Sequence, residues 1–164
     1  MDVARLAALI AATITTALMA GLFFAFDTSV MPALRRSDDR TLIQVMQRVN
    51  VAIINGLFMT AFLGSLLLTA LALVLHLVSG GGSVAPPLIA ALLAYAVQLG
   101  VTGRVNIPLN NALDRAGPVE RIPDPAAVRQ AFESRWAAAN RWRTLLCTVA
   151  VGCLAWALVL SGRL

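Results

Sequence analysis

Seven polar side chains carry most of the chemistry this chain can offer: Asp27, Asn50, Asn55, Asn106, Asn110, Asn140 and Arg143. Each sits beside the end of a long apolar run, close to aromatic residues. Amides and a guanidinium are donors, and donors that converge in a dry site can hold an oxyanion. Arg143 either pairs with Asp27 or holds an anionic or enolate oxygen. Polar groups near lipid tails are costly unless they pair or face a wet cavity. Their convergence therefore predicts a polar pocket between the helices, opening toward the cytoplasm and walled by Phe23, Phe24, Phe26, Phe58, Phe62 and Trp136.

The spacing supports that gathering. Tyr95, Gln98, Thr102 and Asn106 are three, four and four residues apart and share one helical face. Trp136, Asn140, Arg143 and Cys147 share a face by the same rule. A plainer reading stays open: asparagine caps helix ends, glues helices together, and with Pro108 could make a tight turn. Other chemistries find less support. His76 is the single histidine and falls at the opposite end of its apolar run, where it reads as an interfacial residue. There is no Cys-x-x-Cys, no paired carboxylate in the apolar runs, no Ser-His-Asp set and no glycine-rich phosphate loop, so no metal site is expected. Cys147 and Cys153 lie six apart in one run and read as packing residues.

The elements that must position these groups are membrane helices. The chain is 59% hydrophobic and 13% charged, with a mean hydropathy of +0.81, against about 45–50% and about 25% for soluble domains. The apolar excess lies in four blocks, 3–26, 51–78, 85–103 and 144–161, each near the roughly 20 residues that span a bilayer. Charged outer faces, which a soluble bundle needs, are missing. The first block has a weak basic start, too long an apolar stretch and no A-x-A site, so it reads as a retained helix rather than a signal peptide. The expected fold is all-α: one domain, 1–164, an antiparallel four-helix transmembrane bundle.

All 13 basic residues are arginine. Eleven lie between blocks one and two or between blocks three and four, against two, Arg5 and Arg163, on the other side. The positive-inside rule then puts both long loops in the cytoplasm and both termini outside. Leu42, Val45, Met46 and Val49 have helical spacing after a cap at Ser37 or Asp38, predicting a helix that runs unbroken into span two. Asp124 and Pro125 start another that continues into span four, about 37 residues and about 55 Å long. MPALRRSDD and LDRAGPVERIPD read as connectors, and Pro108 is expected to end helix three. The rows Ala17–Gly21, Gly56–Thr60–Gly64 and Thr144–Thr148–Gly152 predict close helix packing. Lipid head groups suit the arginines; nucleic acid has no supporting motif.

Four stretches in order, GLFFAFDTSVMPALRR, VMQRVNVAIINGLF, RVNIPLNNAL and RWAAANRWRT, resemble the small integral-membrane family that includes the anthrone oxygenases. The resemblance covers nearly the whole chain. It rests on Phe24, Phe26, Ser29, Met31 and Pro32, on Asn106, Pro108 and Asn110, and on Trp136, Asn140 and Arg143. It implies a four-helix membrane bundle, in a bacterial inner membrane, whose relatives turn anthrones into anthraquinones with molecular oxygen and no dedicated cofactor. On that chemistry Asp27, Asn140 and Arg143 are the candidate catalytic residues, Asp27 being the base by elimination. Phe24, Phe26, Asn50, Asn55, Gln98, Asn106, Asn110 and Trp136 are the candidate substrate-binding residues. The rival expectation is a non-catalytic membrane protein that holds a lipophile or serves a larger complex. Membrane lipid and a lipophilic small molecule are the expected partners, and a homo-oligomer stays open.

Overall fold

The computed structural model describes residues 3–80 and 82–162. Arg163, counted among the arginines above, lies outside them. Among the described residues seven α-helices carry the fold: α1 Val3–Ala25, α2 Met31–Arg35, α3 Asp39–Ala52, α4 Gly56–Val78, α5 Ala85–Val101, α6 Ile107–Arg115 and α7 Pro125–Ser161. No strand occurs among the described residues. Four helical stretches are long and apolar enough to cross a membrane. They form a ring in which α1 packs on α4 and α7, and α5 packs on α4 and α7. Chain direction alternates around that ring, so neighbours are antiparallel.

Three stretches depart from the expected elements. α1 and α5 do not stop at the membrane boundary. Each passes through one wide π-helical turn, Phe26–Val30 and Thr102–Asn106, and continues as α2 and α6. MPALR and LDR, the opening residues of the two expected connectors, are therefore helical. Pro108 does not end the third helix. A proline inside a helix normally clashes with the carbonyl four residues back. Here that carbonyl, on Arg104, belongs to the wide turn, and Pro32 stands in the same relation to Thr28 of the first one. The residue before each proline bonds five residues back, Met31 N–H to Phe26 O and Ile107 N–H to Thr102 O.

The third departure is a break. α3 and α4 are separated at Ile53–Asn55, where Asn55 starts a new helix by accepting from the Phe58 amide at 3.0 Å. α7 runs unbroken for 37 residues from its Asp124 cap.

The core has three storeys. At the far end Leu9, Ala72, Leu88 and Leu154 interlock. In the middle are Met19, Phe23, Ala61, Tyr95 and Cys147. Beyond the arginine-rich end of the bundle α2, α3, α6 and the start of α7 close a cap around Leu42, Met46, Leu113, Phe132 and Trp136. Polar side chains tie this cap. Arg129 donates to Asp39 at 3.0 Å, to Glu133 at 2.6 Å, and to the Ser37 and Arg35 carbonyls at 2.9 and 3.0 Å. Gln47 donates to the Leu113 and Gly117 carbonyls, both at 2.9 Å. Gly117 takes φ +81°, which lets the chain turn sharply after α6. Arg40 reaches the carbonyls of Val119 and Ile122.

Two packing expectations are corrected. Ala17, Gly21, Gly56, Thr60, Thr148 and Gly152 are exposed on the outer surface of the bundle. Close approach inside the ring is made instead by Ala12, Ala72, Ala91, Ala150 and Ala157. His76 is buried between α4 and α7 rather than lying at an interface, with Nδ1 2.7 Å from the Ala72 carbonyl and Nε2 3.3 Å from the Ser161 hydroxyl.

Candidate functional site

The polar residues fall between the cap and the middle storey. α7 supplies the spine. Asn140 and Arg143 are one helical turn apart and both face inward, Asn140 fully buried and Arg143 7% exposed. Arg143 Nη2 donates to Asn140 Oδ1 at 2.7 Å. The Asn140 amide donates to Asp27 Oδ1 at 2.7 Å and to the Phe23 carbonyl at 2.9 Å. Thr144, one turn along α7, donates to the other Asp27 oxygen. Asp27 and Arg143 are thus joined through Asn140 rather than paired directly.

The first wide turn makes this geometry. It carries Phe26 and Asp27, and the Phe23 carbonyl near the end of α1 accepts from the Asn140 side chain. Arg143 is held by rings as well as by the amide. Its guanidinium carbon lies 4.3 Å from the centre of the Phe23 ring and 5.3 Å from that of Trp136, a cation–π arrangement strengthened by burial. Trp136 is fixed in turn. Its indole N–H donates to Asn110 Oδ1 at 2.9 Å, and Phe26 and Phe132 pack against it at 5.5 and 6.0 Å.

Around Arg143 lies a cavity of about 50 Å³. Phe23, Phe26, Asn50, Asn110 and Trp136 line it, closed by Leu22, Val49, Ile53 and Phe58. Two of the residues that line it carry a buried side-chain nitrogen, Arg143 Nε and Asn50 Nδ2, with no hydrogen-bond partner among the described residues. Buried polar groups are nearly always satisfied, so unpaired donors on a cavity wall suit a bound acceptor.

The other candidate residues are placed as follows. Phe24 is 57% exposed and points out of the bundle. Asn55 is exposed and caps α4. Asp27 lines a separate recess with Pro32, Arg35 and Arg141. Asn106 and Gln98 are buried behind the cavity. Asn106 Nδ2 reaches the Trp136 carbonyl at 3.5 Å, while Gln98 Oε1 accepts from Thr102 at 2.8 Å. Asn106 Oδ1 and Gln98 Nε2 lack partners. Phe62 offers its carbonyl to Tyr95 Oη at 2.8 Å. Thr144 was missed as a site residue, although its spacing of four from Asn140 puts it on the same face. Among the described residues no three His, Cys, Asp or Glu side chains gather as a metal site would require.

A family model described as anthrone oxygenase matches residues 58–153, more than half of the chain. The chain belongs to the anthrone oxygenase family. The matched stretch carries Gln98, Asn106, Asn110, Trp136, Asn140 and Arg143 of the site, and leaves Asp27 and Asn50 outside it. Neither a curated protein nor a solved structure matches the chain. The candidate site of this anthrone oxygenase family member is thus a buried guanidinium, clamped between two rings and oriented by one amide, beside a small cavity.

Proposed function

We propose that this protein oxidises a lipophilic polycyclic phenol of the anthrone type with molecular oxygen, using Arg143 and Asn50 to hold the substrate's oxygen as an anion. The overall reaction balances as anthrone plus O₂ giving anthraquinone plus water. The anthrone loses a proton from its central methylene carbon, and the resulting enolate is electron-rich enough to reduce oxygen. A hydroperoxide forms on that carbon, then loses water to leave the second carbonyl. The protein's contribution is to favour the enolate. Donors set in a dry, preorganised site are worth far more to a developing anion than the same donors in water.

The observation that carries this reading is the pair of unpartnered donors, Arg143 Nε and Asn50 Nδ2, on one cavity wall. Asp27 serves as a positioner: both its oxygens accept hydrogen bonds, and it faces away from the cavity. The proton leaves to water rather than to Asp27. One observation favours a second reading, a non-catalytic subunit of a larger membrane complex. The cavity, at about 50 Å³, is smaller than the roughly 300–1,000 Å³ of ordinary ligand pockets.

Oxygen uptake with anthrone, in detergent and against boiled protein, tests the proposal. Saturable, protein-dependent uptake is expected. It should fall about 100-fold or more in Asn140→Leu, which releases the oxyanion donor Arg143 from the amide that orients it, the scale of losing that donor. Asn50→Leu, which leaves the α7 network intact, should fall by a similar factor. Uptake equal to the boiled control sinks the oxygenase reading.

A further inference from the structure

The break between α3 and α4 stands beside an opening in the bundle. An apolar groove of about 290 Å³ lies on the flank between α1 and α4. Leu18 and Leu57 line its outer part, with the buried Met19 and Ala61 beneath them, and Leu22, Ile53 and Phe58 line both the groove and the Arg143 cavity. Leu18 lies within the apolar length of α1, and Leu57, 82% exposed, stands at the start of α4. The groove therefore opens toward the bilayer. On the opposite side the cavity is roofed by the cap, where Met46, Phe132 and Trp136 are buried.

We propose that the groove is a lateral portal, through which a planar aromatic phenol passes from the bilayer into the Arg143 cavity, oxygen end first. This rests on the reading of that cavity as a substrate site. The chemistry of the path fits one occupant. Its walls are apolar except for Asn55, whose side chain is engaged at both ends, with the Ala52 carbonyl and the Phe58 amide. The donors come only at the inner end. A solute that is apolar over most of its length and carries one acidic oxygen at its tip matches that order. The volumes agree as well. The cavity alone is far below the roughly 300 Å³ at which ordinary ligand pockets begin, whereas groove and cavity together reach that range. Phe58 is the gate. It lines both spaces, stacks on Phe62 at 5.2 Å, and sits in the first turn after the break.

The test uses 1,8-dihydroxyanthraquinone, a stable coloured probe, dissolved in lipid vesicles that hold the protein. Trp142→Phe and Trp156→Phe leave Trp136 as the reporting indole, and its quenching is followed in time. Leu18→Phe with Leu57→Phe fills the groove from the lipid side without touching the bundle interior. Saturable quenching is expected, with a rate that follows probe per lipid. The doubly filled variant should slow it about tenfold at an unchanged final amplitude, and Phe58→Ala should speed it. An unchanged rate in the filled variant, or a rate that follows probe in the water, overturns the portal. Arg143→Met separates the two claims. If it abolishes saturable quenching while the filled variant binds at the normal rate, the cavity stands and the portal falls. If the unaltered protein shows no saturable quenching, both fall.

Discussion

Asn140 is the residue on which the site turns. Its carbonyl faces Arg143 and its amide faces Asp27 and the Phe23 backbone, so it fixes the guanidinium and is itself fixed by the carboxylate. On the proposed reading Asp27 has a mechanical role that can be told apart from proton transfer. Asp27→Asn keeps the shape and one acceptor but sets an amide N–H against a donor. Activity should fall about tenfold, the scale of one lost charge-assisted hydrogen bond, and the shape of the pH–rate profile should be unchanged. Disappearance of the acidic limb in that variant would make Asp27 the base after all. Much of this site was legible in sequence. Tyr95, Gln98, Thr102 and Asn106 are all buried, as their spacing requires. Phe24 was not, because two adjacent phenylalanines lie about 100° apart on a helix, and apolar content alone does not say which of them faces inward.

At the level of elements, helix caps were well marked and helix breaks poorly. Asp38 and Asp124 cap α3 and α7, as their position before apolar-periodic segments predicts. Pro108 misled because a proline signals an interruption, and nothing in the nearby letters says that a wide turn has made room for it. Asn55 misled in the other sense: an asparagine between two apolar runs reads equally as a pocket residue or a cap. The Asp38 cap yields a pH effect. Its carboxylate accepts from the hydroxyl and amide of Thr41, and these bonds hold its pKa below the ordinary aspartate value, 3.8. A depressed folded pKa contributes stability that is present above the unfolded value and lost as pH falls through the folded one. Asp38→Ala should therefore lower the thermal midpoint of the detergent-solubilised protein at neutral pH. The gap to the unaltered protein should close in strongly acidic buffer. A gap that persists there would assign the loss to something other than the charged cap.

For the whole molecule, the arginine count makes a topological prediction. Both long connections carry the excess, eleven arginines against two, and the cap built from those connections stands at one end of the bundle. The positive-inside rule puts that end in the cytoplasm. Cysteines placed at Ser37 and Pro118, in a background lacking Cys147 and Cys153, should resist an impermeant maleimide in intact cells and react in inverted membrane vesicles. Labelling of both in intact cells would reverse the orientation, and labelling of only one would break the four-span topology. The four spans were legible because composition and length decide them. The tied cap was not, since its hydrogen bonds run from arginine and glutamine side chains to distant backbone carbonyls, and no local pattern records such partners.

The two wide turns also have a consequence for how the bundle is phased. Each turn accommodates one residue more than a regular helix would, which rotates everything beyond it by about 100° relative to what precedes. α1 and α5 can therefore show one azimuth to their partners within the membrane and another within the cap, with no loop between. Pro32 and Pro108 act as ratchets on that offset. Closing either turn back to a regular helix would drive the proline ring into a carbonyl, so the extra residue cannot migrate along the helix as insertions in plain helices can. The site is built on a frozen change of phase: the inserted turns hold Asp27 and Asn106 in register with α7, and the prolines keep that register from slipping.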